Sequence, residues 1–143
     1  MPTNTFNIGK DAQLVVISPL GTRIDLSIVT GFNSKQDVHQ VKVMPLNGPR
    51  QAVDLPDGWS GTFTLDRANS AVDDLISAIE LGYWAGGVVG LGQIYHYVQE
   101  VNGSTSTYLY DAVTMHLSDA GHWKADDTVK QTITWVASTR KRV

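Results

Sequence analysis

The stretch WSGTFTLDRANSAVDDLISAIE, residues 59–80, changes its hydrophobic period in the middle and decides the fold class. Its first part alternates, with Phe63 and Leu65 opposed to threonines, as in a strand with one buried face. Over residues 68–81 the apolar side chains recur at helical spacing instead. We therefore expect a strand over residues 60–67, followed by the one long helix of the chain.

The ends of this helix carry recognisable signals. Asn69 or Ser70 can cap its first turn, and Asp73 and Asp74 suit the positive end of the helix dipole. Gly82 can end it, because glycine readily takes the left-handed conformation found after many helices.

Most of the remaining chain alternates with period two, which is typical of strands. Such runs predict strands over residues 13–18, 23–30, 36–44, 93–100, 105–117 and 128–138. The polar residues 31–34 indicate a turn, and residues 46–59, rich in proline and glycine, indicate an irregular loop. Residues 139–143 form a basic tail.

The dipeptide Asn102-Gly103 is typical of a two-residue type I′ hairpin turn. That turn pairs positions whose numbers sum to 205 and predicts a tyrosine ladder on one face. The paired tyrosines are Tyr97 with Tyr108 and Tyr95 with Tyr110. The opposite face then carries His96, with Asp111 diagonal to it.

Composition narrows the class of protein. With 143 residues, 42% hydrophobic and 17% charged, the chain suits one globular domain and excludes a disordered tail or a coiled coil. It has no cysteine, which excludes disulfides, thiolate metal sites and cysteine nucleophiles. The net charge of −3 argues against a protein that binds nucleic acid through its phosphates. We expect neither a secretory signal at residues 1–10 nor a membrane span in the glycine-interrupted stretch 81–99.

No motif for catalysis or cofactor binding stands out. The glycine-rich residues 86–92 lack the Lys-Ser/Thr of a phosphate loop, since Gln93 follows. The four histidines have no spacing that forces them together on a metal. His96 beside Asp111 is more simply a hydrogen-bonded strand pair, although a small hydrolase is an alternative. We therefore expect no catalytic, cofactor or metal site.

Two stretches carry a family resemblance: WSGTFTLDR (59–67) leading into ANSAVDDLISAIE (68–80), and the closing run TYLYDAVTMHLSDAGHWKADDTVKQTITWVASTRKRV (107–143). Both resemble the tail tube proteins of tailed bacteriophages. The length is closer to tubes of contractile tails than to the longer non-contractile ones. The resemblance implies a mainly β, sandwich- or barrel-like single domain over residues 1–143 with one flanking helix. It also implies six copies in a ring, and stacked rings through which DNA passes into the host.

This resemblance implies a structural virion protein of the phage tail that is assembled in the host cytoplasm and is not an enzyme. Its implied partners are further copies, a sheath, a tape measure protein and a baseplate, with DNA passing unbound and no membrane. A baseplate tube-initiator and a type VI secretion tube are near alternatives. A monomeric β-sandwich that binds carbohydrate or another ligand through its tyrosines is an alternative of another class.

The resemblance suggests three groups of contact residues. Polar alternating positions suit a wet lumen: Arg23, Asp25, Ser27, Gln36, Gln40 and Lys42. Irregular or basic segments suit contacts between rings, namely the N-terminal arm 1–10, residues 31–59 and the tail, and in particular Asn47, Gly48, Pro49, Arg50, Arg140, Lys141 and Arg142. The acidic helix positions Asp73 and Asp74 suit a sheath-facing surface.

Overall fold

A computed structural model of the chain describes residues 12–19, 21, 23–25, 29–87 and 89–143. In these ranges the strands are β1 (Ala12–Ile17), β2 (Arg23–Asp25), β3 (Val29–Val43), β4 (Gln51–Asp66), β5 (Gly92–Gln99), β6 (Thr105–Asp119), β7 (Lys130–Ala137) and β8 (Thr139–Arg142). The helix α1 (Ala71–Gly86) follows β4. The expected mainly β class with one flanking helix is confirmed.

The strands form one open antiparallel sheet in the order β2-β1-β5-β6-β7-β4-β3, and β8 pairs with β6 off this path. The long strand β6 joins the two halves of the sheet, and Ala112, at a φ of 54°, lies between them. Its first part pairs with β5 and β8, and its last part pairs with β7. The change of partner lets the two halves face one another.

The core lies between these halves. Phe32 on β3 stacks on Trp135 of β7 with ring centroids 5.8 Å apart, and it contacts His96 of β5 at 4.8 Å. The largest fully buried apolar side chains are Trp135, Tyr110, Phe63, Ile94, Ile133, Val16 and Val113. Predicted strands 13–18, 60–67 and 128–138 are confirmed as β1, the second half of β4 and β7, and all three contribute to this core.

The predicted turn at residues 31–34 and the predicted irregular loop at 46–59 are wrong. Residues 31–34 lie inside β3, and β4 already begins at Gln51, so that only residues 44–50 connect the two strands. Asn33 offers a reason, because its side-chain amide donates to Thr62 Oγ1 and accepts from the Thr62 N–H. Pairing of β3 with the long strand β4 thus overrides the turn propensity of the polar residues 31–34.

Pro56 is tolerated in β4 because of a bulge. Between the pairs Gln36–Trp59 and Val38–Pro56, residues 57 and 58 of β4 lie opposite the single residue 37 of β3, so β4 carries one extra residue. Gly58 has a φ of +101°, and proline is accepted in strands at bulges and edges. The predicted strand at 23–30 appears as β2 and the start of β3, and residues 26–28 lie outside the described ranges.

Helix α1 starts and ends later than expected, at Ala71 and Gly86. Gly82 lies within it, and Gly87 takes the left-handed cap with a φ of 69° and donates its N–H to the Tyr83 carbonyl. Ser70 occupies the N-cap without a side-chain capping bond. Asn69 accepts the Ala71 N–H instead.

The β5–β6 register differs by one residue from the prediction. His96 lies opposite Tyr108, and Tyr95 lies opposite Leu109. Glu100 donates its N–H to the Ser104 carbonyl, which closes a three-residue loop in which only Gly103 has a positive φ. Because a one-residue slip moves side chains to the other face, the predicted four-tyrosine ladder does not form.

The basic tail is also a strand. Residues 139–142 form β8, which pairs with residues 108–111 of β6.

Candidate assembly surfaces

The distal half of the β3–β4 hairpin projects from the body of the domain. β7 pairs with β4 only from Asp66 to Trp59, and within the described ranges the rest of β4 pairs with β3 alone. Every residue from 38 to 56 is exposed, and we call this segment the arm. At about 3.3 Å per residue, its tip at Met44 lies roughly 25 Å beyond Gln36.

The two faces of the arm differ in polarity. Cross-strand pairs share a face, and the pairs His39–Leu55 and Val41–Val53 alternate with Gln40–Asp54 and Lys42–Ala52. The first face exposes 40–56% of its valines and leucine. On the second face, Gln40 Nε2 donates to Asp54 Oδ1 at 3.1 Å. An isolated two-stranded ribbon is marginally stable in water, and an exposed apolar face on one indicates a contact surface.

The candidate lumen residues fall on opposite borders of the sheet. Gln36, Gln40 and Lys42 alternate along β3, on the polar side of the hairpin, while Arg23 and Asp25 belong to β2. β2 and β3 are the terminal strands of the sheet path. The two groups therefore belong to strands that are not paired with one another among the described residues. Ser27 lies outside the described residues.

The candidate ring-contact residues Asn47, Gly48, Pro49 and Arg50 form the exposed tip of the arm. The two most exposed apolar side chains in the described ranges, Met44 at 78% and Leu46 at 102%, flank them. The arm therefore ends in an apolar and basic tip.

The candidate tail residues divide into two kinds. Lys141 and Arg142 are exposed, and Arg142 donates to Ser106 Oγ at 3.2 Å. Arg140 is half-buried, with its guanidinium carbon 3.9 Å from the Tyr108 ring centroid and 4.7 Å from that of Trp59. These cation–π contacts anchor β8 to its own domain.

The acidic start of α1 is partly engaged within the chain. Asp73 accepts from Arg67 Nε and from Gln131 Nε2, both at 2.9 Å. Asp74 is exposed and accepts from Ser70 Oγ. Of the two candidate sheath-facing carboxylates, Asp74 is therefore the one more available to an outside partner.

A groove runs between α1 and the β1–β2 connection. Its volume is about 530 Å³, within the range of roughly 300–1,000 Å³ typical of ligand pockets. Its apolar lining includes Pro19, Ile24, Leu75, Ala78, Ile79 and Gly90, and Asp74 also lines it. We refer to this cavity as the groove.

The tyrosine face expected for a ligand-binding module does not form. Tyr95 and Tyr97 stack with ring centroids 6.2 Å apart. Tyr110 is fully buried, and Arg140 covers Tyr108. The four tyrosines thus provide no common platform.

His96 and Asp111 do not form the predicted diagonal pair. Asp111 accepts from Gln93 Nε2 and from the Ala112 N–H, and both hydrogen bonds lower its pKa. His96 packs on Phe32, and burial, followed by the charge of Arg140, lowers its pKa. The two side chains occupy opposite faces of the sheet, so the arrangement supports no acid–base pair.

The chain resembles known proteins in structure but not in sequence. No protein-family model and no curated protein matches the chain. Among solved structures, it is similar to a chain of the PVC extracellular contractile injection system sheath–tube complex, with 15% identity, a TM-score of 0.61, and coverage of 97% of this chain and 93% of that one. It is also similar to the SPP1 tail tube, with 14% identity, a TM-score of 0.59, and coverage of 94% and 77%.

The chain has the tail-tube fold. A third similar structure, the Hcp1 protein of E. coli EAEC 042, has 10% identity and a TM-score of 0.50, and the match covers 93% of this chain and 97% of that one. The expected resemblance is therefore confirmed at the level of fold.

Within this tail-tube fold, sequence reasoning missed two features. The cage around Arg140 joins residues distant in sequence, and no local pattern indicates it. The groove depends on how α1 packs against Ser18, Pro19 and Ile24, which is equally non-local. Across the described ranges there is no cluster of three or more metal-ligating side chains. No helix in those ranges is long and apolar enough to span a membrane.

Proposed function

We propose that the chain is a structural virion protein, the major tail tube protein of a phage tail. Six copies form a ring, and the rings stack into a conduit for DNA ejection into the host. The observation that carries this proposal is a tail-tube fold that extends over nearly the whole chain, with a border strand at each end of the sheet whose outer edge no described strand pairs. The contractile-tail type is the closer variant, assembled in the host cytoplasm with sheath, tape measure and baseplate proteins.

The unpaired borders support ring formation. Long exposed edge strands promote association unless something covers them. β3 presents a 15-residue edge, and β2 presents the other edge. Pairing the β2 edge of one copy with the β3 edge of the next would satisfy both borders and, repeated around an axis, would close a ring. The same pairing would unite the two groups of candidate lumen residues.

The charge of the ring supports a passage that does not retain DNA. With a net charge of −3 per chain, six copies would give a ring of −18. A polyanion is repelled rather than trapped by such a field, although salt screens it beyond about 10 Å. The polar side of the arm suits a water-filled lumen. We assign the protein no catalytic role and no cofactor.

Electron microscopy of the purified protein tests this proposal. We expect rings with sixfold averages, or tubes of uniform diameter, in negative stain, together with large species in sedimentation velocity. A stable monomer at high concentration, both alone and with its sheath and baseplate proteins, would refute it. Single rings that stack only on a baseplate complex would favour the tube-initiator alternative.

A matched pair of arm variants tests the role of the apolar face. Val41 and Gln40 are exposed neighbours on opposite faces of the arm. Val41→Lys places a charge where we expect a neighbouring copy and should prevent tube formation, while Gln40→Lys places the same charge opposite Asp54 on the polar face. Equal assembly by both variants would argue against burial of the apolar face.

The tail can be tested without disturbing the cage of Arg140. Changing the exposed Lys141 and Arg142 together to Ala leaves Arg140 in place. If the tail contributes to ring contacts, this double variant should assemble at a higher threshold concentration than the wild type. Unchanged assembly would remove the tail from the contact surface.

A further inference from the structure

The groove and the tip of the arm lie towards opposite ends of the long strand β4. The tip of the arm joins β4 at its first residue, Gln51. The other end of β4 is Asp66, and α1 begins five residues later, at Ala71. A 16-residue strand at about 3.3 Å per residue spans roughly 50 Å. The tip therefore points away from the groove of its own chain, and a contact between the two surfaces would join different copies.

The two surfaces are complementary in shape, since the tip protrudes and the groove is concave. The tip carries Met44 and Leu46, whose side chains are almost wholly exposed. The groove is an apolar hollow between α1 and Pro19. Large exposed apolar side chains and an apolar hollow that no residue of the described ranges fills each favour burial against a partner.

The two surfaces are also complementary in charge. Residues 42–51 contain Lys42 and Arg50 and no acidic residue. Residues 71–92 contain three carboxylates and no basic residue. Of these carboxylates, Asp74 lines the groove and Glu80 lies one to two turns further along α1.

We infer that the groove receives the arm tip of a second copy of this chain, with Met44 and Leu46 seated against α1 and Arg50 near Asp74. This rests on the proposed tube function and names the surface that accepts the arm. The contact is heterologous, because it uses two different patches. Contacts of this kind continue from copy to copy in an open assembly unless they close a ring, as stacking requires.

A matched pair of helix variants tests the inference. Ala78 and Ser77 are both exposed on α1, but only Ala78 lines the groove. Ala78→Trp fills the groove and should abolish tubes, whereas Ser77→Trp should assemble as the wild type does. Circular dichroism and thermal melting of the unassembled variants show whether both remain folded. Normal tubes from folded Ala78→Trp would overturn the inference.

Disulfide trapping provides a second test, since the chain has no native cysteine. One population carries Leu46→Cys, and a second, tagged population carries Ala78→Cys. A disulfide needs Cα atoms about 4.4–6.8 Å apart. Mild oxidation of the mixture should therefore give a tagged and untagged pair joined through these positions. Replacing Ala78→Cys by Ser77→Cys should reduce the yield at least tenfold.

The outcomes separate the inference from the proposed function. If the wild type forms tubes while the mixed disulfide is absent, the groove is not the receptor for the arm, and the tube function stands. If the mixed disulfide forms but the wild type yields only short oligomers, the contact stands and the tube proposal fails. A groove filled instead by a sheath protein would leave tubes of Ala78→Trp intact, which overturns the inference.

Discussion

Replacement of Arg140 by Ala tests how β8 is held on the domain. The guanidinium lies 3.9 Å from the centre of the Tyr108 ring and 4.7 Å from that of Trp59. Cation–π contacts contribute about 0.5–1 kcal/mol at exposed sites and about 2 kcal/mol when desolvated. For a half-buried arginine we take about 1 kcal/mol for each of these rings.

One opposing contribution reduces this sum. The Nε of Arg140 is buried and has no hydrogen-bond partner among the described residues, and leaving a donor unsatisfied costs about 1–3 kcal/mol. With the lower figure, and allowing for the apolar packing of the side-chain stem, Arg140→Ala should lower the free energy of unfolding by about 1–2 kcal/mol. For a domain near this size, that corresponds to a melting temperature roughly 3–8 °C lower.

Urea and thermal unfolding of the unassembled protein measure this difference. Lys141→Ala is the matched control, because Lys141 is the exposed neighbour on β8. Arg140→Lys keeps the charge but loses the planar stacking group, so it should lie between the wild type and Arg140→Ala. The reasoning is refuted if Arg140→Ala unfolds with the wild-type free energy, or if Lys141→Ala loses as much.

Three further predictions concern other parts of the molecule. Burial, and secondly the charge of Arg140, hold the pKa of His96 below its usual 6.5. The unfolded chain therefore binds more protons than the folded one, and the free energy of unfolding should fall as the pH drops below 6.5. Urea unfolding of His96→Gln at several pH values should lack this loss. Gly61→Ala should cost more than about 2 kcal/mol, because a Cβ there collides with backbone and approaches Trp135 Cζ2 to 2.9 Å; an unchanged melting curve would contradict this. The exposed Asn47 should deamidate faster than Asn102, whose Oδ1 already accepts two hydrogen bonds; peptide mass mapping after alkaline incubation checks the order.

Several elements could be predicted from sequence because their signals are local. The change of period in residues 59–80 places the strand before the helix, and the structure confirms both. Asp73 and Asp74 lie in the first turn of α1 as expected. Such signals succeed because a strand face or a helix stripe is set by the spacing of neighbouring residues.

Other features required the fold. Pro56 lies in β4 because there is a bulge at Gly58 and no described strand pairs with the outer edge of β4 at this point, so its missing N–H is not needed. The one-residue slip at Gly103 depends on which loop closes best between two paired strands. No pattern around Arg140 foretells its aromatic cage, since Trp59 comes from a different strand.

The sequence by itself determined a mainly β domain with one helix, an acidic helix start and a likeness to tube proteins. Tertiary structure decided the length of the arm, the register of the tyrosines, the strand character of the tail and the existence of the groove. The physical reason is that these features depend on contacts between residues far apart in the chain. Only the folded arrangement specifies which backbone edges are paired and which side chains are buried.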